Sequence, residues 1–384
     1  MMGAAASSAD SAVETRKDKL LGCLYGQAVG DALGTRYEFQ SAANTQDMIK
    51  RDVLGLPFLP ILGGGPFHLI PGEVTDDTEM AMAMARSILR KGTYDHDDVA
   101  LSYVKWLMSE PKDKGHTTAQ ALVEARELVE RGYESKKVRE TVMASSSNYN
   151  VQSQSNGCLM RISPLVIAGV SWPVKVLRQA AKHNCRLTNP SELCRDAVGV
   201  YVTAMHSLLN GATPEEAFEN GINAAETNDV RRLLTAARSR AVPVVLPSGV
   251  EVAGDTKGMG YYGVALQAAF HALRKASSLK PSADPTEAFA QLLKEVVSRG
   301  GDTDTNGCIA GALLGAHYGA TGIPEAWRDA VRKAKPKRAL KIFPDVLMGD
   351  IETVALKLAK SKCPKDNAYS DSCGGSDDDD DDDE

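Results

Sequence analysis

Apolar residues recur at helical spacing along almost the whole chain. Leu20, Leu21, Leu24, Ala28 and Ala32 trace one face that ends near Gly34, and Val99, Tyr103, Trp106 and Leu107 trace another. Val198, Val202, Met205 and Leu209 repeat the pattern before Gly211. Val264, Ala268, His271 and Ala272 do so after the glycine-rich stretch from Gly254 to Gly263. Such recurrence puts the side chains on one helix face, so each segment predicts a core helix. His271 lies on one of these faces and reads as a satisfied or peripheral histidine rather than a ligand. Only 242–252 departs from the rule: Pro247-Ser248-Gly249 separates two short apolar runs there and predicts a minor hairpin. Alternating strand–helix units are absent, so the expectation is an all-α fold built as a single large helical domain.

Two polar or small-residue patterns interrupt the apolar ones. Glycines 307, 311, 315 and 319 fall every fourth residue, which on a helix forms a smooth stripe where another backbone can approach closely. The run from Ser145 to Gly157, dense in Ser, Asn and Gln, predicts a loop in which Gly157 lets backbone N–H groups approach a phosphate.

Composition bounds the picture. A 384-residue chain with 43% hydrophobic content can bury a substantial core. The net charge of −6 includes eight negative charges in Asp377–Asp383 and Glu384, so the remainder carries +2. The body therefore lacks a bulk nucleic-acid footprint, and the basic stretch from Arg332 to Lys341 reads as a solvated helix face. Seven dispersed cysteines (23, 158, 185, 194, 308, 363 and 373) predict reduced thiols, and no basic-then-apolar leader opens the chain. A cytoplasmic or nuclear setting is expected, with no membrane span. The expected divisions are a disordered segment 1–16, a catalytic domain 17–345, a helical extension 346–369 and a disordered acidic tail 370–384.

The candidate chemistry lies in two acidic clusters, Thr75-Asp76-Asp77-Thr78 and Gly301-Asp302-Thr303-Asp304-Thr305. Carboxylates and hydroxyls gathered in this way call for a counter-charge, and an all-oxygen set without His or Cys suits Mg²⁺ or Mn²⁺ better than zinc. An EF-hand reading of Asp302-Thr-Asp304-Thr-Asn306-Gly307 fails, because its twelfth position is Leu313 where a bidentate Glu is required. A phosphatase of the Asp-x-Asp-x-Thr kind fails too, because Asn306 stands where the Thr is needed. At the first cluster, Asp76 and Glu79 have capping-box spacing, and Met80, Met84 and Ile88 follow at helical intervals, so a helix N-terminus is expected there.

Four motifs in order carry a resemblance. They are Gly30-Asp31-Ala32-Leu33-Gly34 with Tyr37-Glu38-Phe39, then Val74 to Met80, then Ser155-Asn156-Gly157-Cys158-Leu159-Met160-Arg161, and finally Gly300 to Gly307. With Gly322-Ile323-Pro324-Glu325-Ala326-Trp327 downstream, this series resembles the signatures of the ADP-ribosylglycohydrolases over roughly residues 17 to 330. The resemblance implies an orthogonal helical domain that releases ADP-ribose from ADP-ribosylated proteins or small ADP-ribose conjugates, acting as a monomer. It further implies two Mg²⁺ or Mn²⁺ ions held by Thr75, Asp76, Asp77, Asp302, Asp304 and Thr305, with Glu38 as the acid/base carboxylate. Asn156, Gly157, Asn189, Gly258 and Tyr261 are the candidate substrate contacts, with Tyr149 and Tyr262 as other aromatics. Asp31 reads as a structural residue bonded within its own turn. One departure is Leu187-Thr188-Asn189-Pro190, which puts an uncharged Asn189 where the family commonly has a histidine near the diphosphate. The alternative expectation is a catalytically silent ADP-ribose-binding or structural relative of the same fold.

Overall fold

The computed structural model describes residues 2–280, 282–336 and 343–365. The acidic tail 370–384, part of the basic stretch ending at Lys341, and Cys373 lie outside the described residues. The fold is built of helices around one antiparallel helix pair, Met2–Gly34 and Thr303–Tyr318. Glycine makes that pair possible. A Cβ on Gly22, Gly26 or Gly30 would fall far inside van der Waals contact of the carbonyls of Gly315, Gly311 and Gly307 in turn, and the reverse holds from the other side. The stripe at 307, 311 and 315 thus meets a second stripe at 22, 26 and 30, and the two backbones touch without side chains between them.

Around this pair the apolar faces close as their spacing predicts. Leu24, Ala28, Val99, Tyr103, Trp106, Val198, Val202, Met205 and Val264 are all buried in one continuous core. His271 is half-buried, with its ring contacting the Ala237 carbonyl through Nδ1 at 2.9 Å. Strands Val244–Val245 and Glu251–Val252 pair antiparallel as the minor hairpin. No described helix is long and apolar enough to cross a membrane.

The first helix runs from Met2 to Gly34. Local structure departs from expectation in two places. Ser145–Tyr149 complete the helix Ser135–Tyr149 and are not loop: Ser145 and Ser146 are buried on its inner face. The helix Asp76–Lys91 takes Thr75, not Asp76, at its N-cap, and Glu79 accepts a 2.8 Å bond from the Trp106 indole instead of closing a capping box.

Candidate functional site

The glycine-packed pair sets the two acidic clusters face to face. Thr303 Oγ1 donates to the Gly34 carbonyl at 2.7 Å, which fixes the mouth of the Thr303–Tyr318 helix against the end of the first. Beyond Gly34 the chain turns through Thr35–Tyr37 into Glu38, and the next residues are stapled to the second cluster. Phe39 N donates to the Gly301 carbonyl and Gly301 N to the Gln40 carbonyl, both at 2.8 Å. Gly300 and Gly301 have φ of +73° and +77°, and a Cβ on either would strike backbone, so this approach requires glycine.

Asp31 performs a different task from the one expected. Its carboxylate accepts from Thr75 N at 3.0 Å, Thr75 Oγ1 at 3.0 Å and Thr78 N at 3.1 Å. It therefore caps the Asp76–Lys91 helix from another helix and aims that helix's first-turn carboxylates at the second cluster.

All six expected metal ligands and Glu38 meet in one place. Carboxylate oxygens of Glu38, Asp302 and Asp304 lie within 4.8 Å of one another. Asp77 Oδ2 accepts from Thr75 Oγ1 at 3.0 Å and from Thr305 Oγ1 at 3.3 Å, which joins the two clusters directly. Asp76 accepts from Gly115 N at 3.1 Å and Asp302 from the Asn156 amide at 2.7 Å. Among the described residues, the buried carboxylate oxygens Glu38 Oε2 and Asp77 Oδ1 have no hydrogen-bond partner.

The crowding shows in the proton affinities. Burial, followed by the charges of Asp113, Asp302 and Asp76, pushes Glu38 up to about 10. Burial raises Asp76 to about 6 and Asp31 to about 7, and drives Asp77 and Asp304 well above the usual carboxylate range. Burial with the neighbouring Asp76 charge raises Asp113 to about 9. These groups perturb one another in the direction that removes negative charge, as crowded, buried carboxylates do.

Asp113 is the site residue that sequence reasoning missed. It stands between Lys112 and Lys114, where it reads as ordinary charged surface, yet it lines the cleft with Glu38, Asp76 and Asp302. The cleft has a volume of about 410 Å³, and Asn156, Gly157 and Thr305 also line it.

The remaining substrate candidates do not line the cleft. Asn189 is fully buried, with its amide donating to Ser155 Oγ at 2.8 Å and its oxygen accepting from Thr188 Oγ1 at 2.6 Å. It supports the Ser155–Gly157 turn, also donating to the Ser155 carbonyl at 3.2 Å, and is not among the residues that line the cleft. Gly258 turns the chain with φ +70°, and Tyr261 is buried against Tyr262; the cleft is lined instead by their neighbours Met259 and Gly260. Tyr149 stands exposed on its helix, bonded to Glu124 at 3.0 Å.

Comparison with known proteins agrees with this architecture. Residues 12–364 match the family profile described as ADP-ribosylglycohydrolase. The chain is 29% identical over 339 residues to the ADP-ribosyl-[dinitrogen reductase] glycohydrolase of Rhodospirillum rubrum, covering 86% of this chain and 96% of the relative. It is 26% identical over 336 residues to the ADP-ribosylarginine hydrolase Tri1 of Pseudomonas putida, covering 83% and 75%. A solved structure described as an ADP-ribosylglycohydrolase-related protein complex superposes with a TM-score of 0.63 at 27% identity, over 91% of this chain and 99% of that one. The profile spans most of the sequence and both acidic clusters, and on that ground the chain belongs to the ADP-ribosylglycohydrolase family.

Proposed function

We propose that this chain is a divalent-metal-dependent hydrolase that releases ADP-ribose from modified protein side chains or small ADP-ribose conjugates. The observation that carries the reading is the meeting of two distant acidic clusters, with buried carboxylate oxygens that have no partner. An all-oxygen donor set of this kind fits two Mg²⁺ or Mn²⁺ ions. Thr75, Asp76, Asp77, Asp302, Asp304 and Thr305 would hold them. When bound, the ions supply the charge that the carboxylates lack and the Lewis acidity that polarises ribose hydroxyls and water.

The chain's own residues do the rest. Asp31 and Asn156 orient first-turn and mouth carboxylates through the bonds described above, so that the donor atoms keep one arrangement. Glu38 holds a proton at the edge of the cleft and can deliver it to a leaving group or take one from water. Gly157 lines the cleft without a side chain, leaving room for a bulky substrate beside Asn156. The names of the two relatives specify an ADP-ribosyl substrate, which supports the same substrate class here.

A panel of defined conjugates with arginine, serine, acetyl, polymer and nucleic-acid linkages, assayed with Mg²⁺ or Mn²⁺, tests the proposal. Release of ADP-ribose from at least one linkage, abolished by chelation, is expected. Silence across the panel with retained ADP-ribose binding would instead identify a non-catalytic binding protein.

A further inference from the structure

Beside Glu38 the chain adopts a conformation that its sequence resists. Phe39 has φ +63°, although a bulky residue is strained in the left-handed region, and its ring is 54% exposed. The strain is not spent on burying the ring. Its ring partner is Phe67, met edge-on at 6.3 Å between centroids and 74° between planes.

Phe67 is held with comparable firmness. It sits on a turn closed by Gly64 N to the Leu69 carbonyl at 2.7 Å and Leu69 N to the Gly64 carbonyl at 3.0 Å. Gly63, Gly64 and Gly65 in this turn all have positive φ, and a Cβ on Gly65 would strike the Thr35 carbonyl. Arg36 and Tyr37 both bind Asp52, at 2.6 Å and 2.8 Å, and Arg36 also reaches the Gly63 carbonyl at 3.4 Å. The two turns are thereby clamped to one another through the segment that leads into Glu38. Leu62 and Ile70 stand exposed on either side of the Phe67 turn in the chain.

We propose that Phe39 and Phe67 form a fixed apolar lip that receives the polypeptide flanking the modified residue of an ADP-ribosylated protein, an inference that rests on the hydrolase reading above. Phe39 lines the mouth of the cleft beside Glu38, Asp76, Asp113 and Asp302, whose carboxylates suit a metal-held, hydroxyl-rich ribose, while Phe67 is not among the lining residues. The two phenylalanine rings offer the hydroxyls of that ribose no hydrogen-bond partner. They do suit the uncharged stretches of a protein chain. The place of the lip also fixes which end of the substrate it meets. Phe39 follows the proposed acid/base residue directly, so it stands at the bond to be cut, whereas the adenine of ADP-ribose is separated from that bond by the diphosphate and two riboses.

Steady-state kinetics of the wild type, Phe39→Ala and Phe67→Ala should be compared on an ADP-ribosylated protein and on the matching free ADP-ribosyl amino acid, alongside the affinity for ADP-ribose and the Tm. Each variant should lose about tenfold in the ratio of kcat/KM between the protein and the small conjugate, mainly through KM, with ADP-ribose affinity retained. Phe39→Gly separates ring from backbone: it should match Phe39→Ala in that ratio while its Tm is not lowered, since glycine adopts positive φ freely. An unchanged ratio overturns the lip alone, as does a lowered ADP-ribose affinity, which would make the rings a platform for the nucleotide. A wild type inert on both substrates overturns the hydrolase reading and the lip with it.

Discussion

The two ends of the glycine-packed helix pair treat carboxylates in opposite ways. At one end, Asp18 accepts from Thr321 N at 3.0 Å and Thr321 Oγ1 at 2.7 Å, and its own backbone carbonyl accepts from Ala320 N at 3.0 Å. Every donor there comes from a single loop beside solvent, and the charge is satisfied locally. At the other end, Glu38, Asp302 and Asp304 converge within 4.8 Å, and among the described residues Glu38 Oε2 and Asp77 Oδ1 have no hydrogen-bond partner. A carboxylate that finishes a turn brings its partners with it. A group of buried carboxylates with more oxygens than donors calls for a counter-charge that its own side chains do not supply, and the same packing produces both ends.

The largest effect that would sharpen this contrast is expected at Glu38. Glu38→Gln keeps size and polarity but cannot transfer a proton, so kcat should fall by about 10² to 10⁴ while ADP-ribose still binds. Turnover near wild type would reduce Glu38 to a structural carboxylate and remove the chemical difference between the two ends.

Stability against pH gives the next effect. Burial raises Asp76, Asp31, Asp113 and Glu38 to about 6, 7, 9 and 10, so each binds its proton more tightly in the folded chain than in the unfolded one. That stability is complete below the ordinary carboxyl range and is lost as pH rises through the folded values. In chelator, the Tm should therefore fall progressively from about pH 4 to about pH 10, and added Mg²⁺ should flatten the fall by replacing protons with metal charge. A Tm that rises over that range in chelator would mean that the cluster is already compensated from within.

The smallest effect belongs to the satisfied end. Asp18→Asn should cost about 1 kcal/mol of stability, the ordinary worth of a lost charged hydrogen bond near the surface, and leave turnover alone. A fall in kcat there, measured beside a thermal melt, would show that the two ends are coupled and that the comparison is drawn too sharply.

Much of this was legible in the sequence because it is written in periodic or contiguous signals. The apolar faces, the hairpin at 242–252 and the glycine stripe from 307 each declare themselves within one segment, and so do the two acidic clusters. The partner stripe at 22, 26 and 30 has the same four-residue spacing and could have been paired with the first by that alone. What was not legible depends on tertiary approach. Asp31 has the look of a turn residue, and only the packing of the first helix brings it to Thr75 and Thr78. Asp113 is an aspartate between two lysines until the fold turns it towards Asp76. Asn189 and Tyr261 sit one layer behind the surface they were expected to form, and no periodicity distinguishes a wall from its support.

The central claim is that the unsatisfied end is a divalent-cation site, and calorimetric titration of the chelator-stripped protein with Mn²⁺ tests it most directly, with Asp304→Asn as the paired variant. Two equivalents should bind to the wild type, with a raised Tm and the return of ADP-ribose release, and Asp304→Asn should lose at least one equivalent and most turnover. Absence of Mn²⁺ binding together with full turnover under chelation would contradict it.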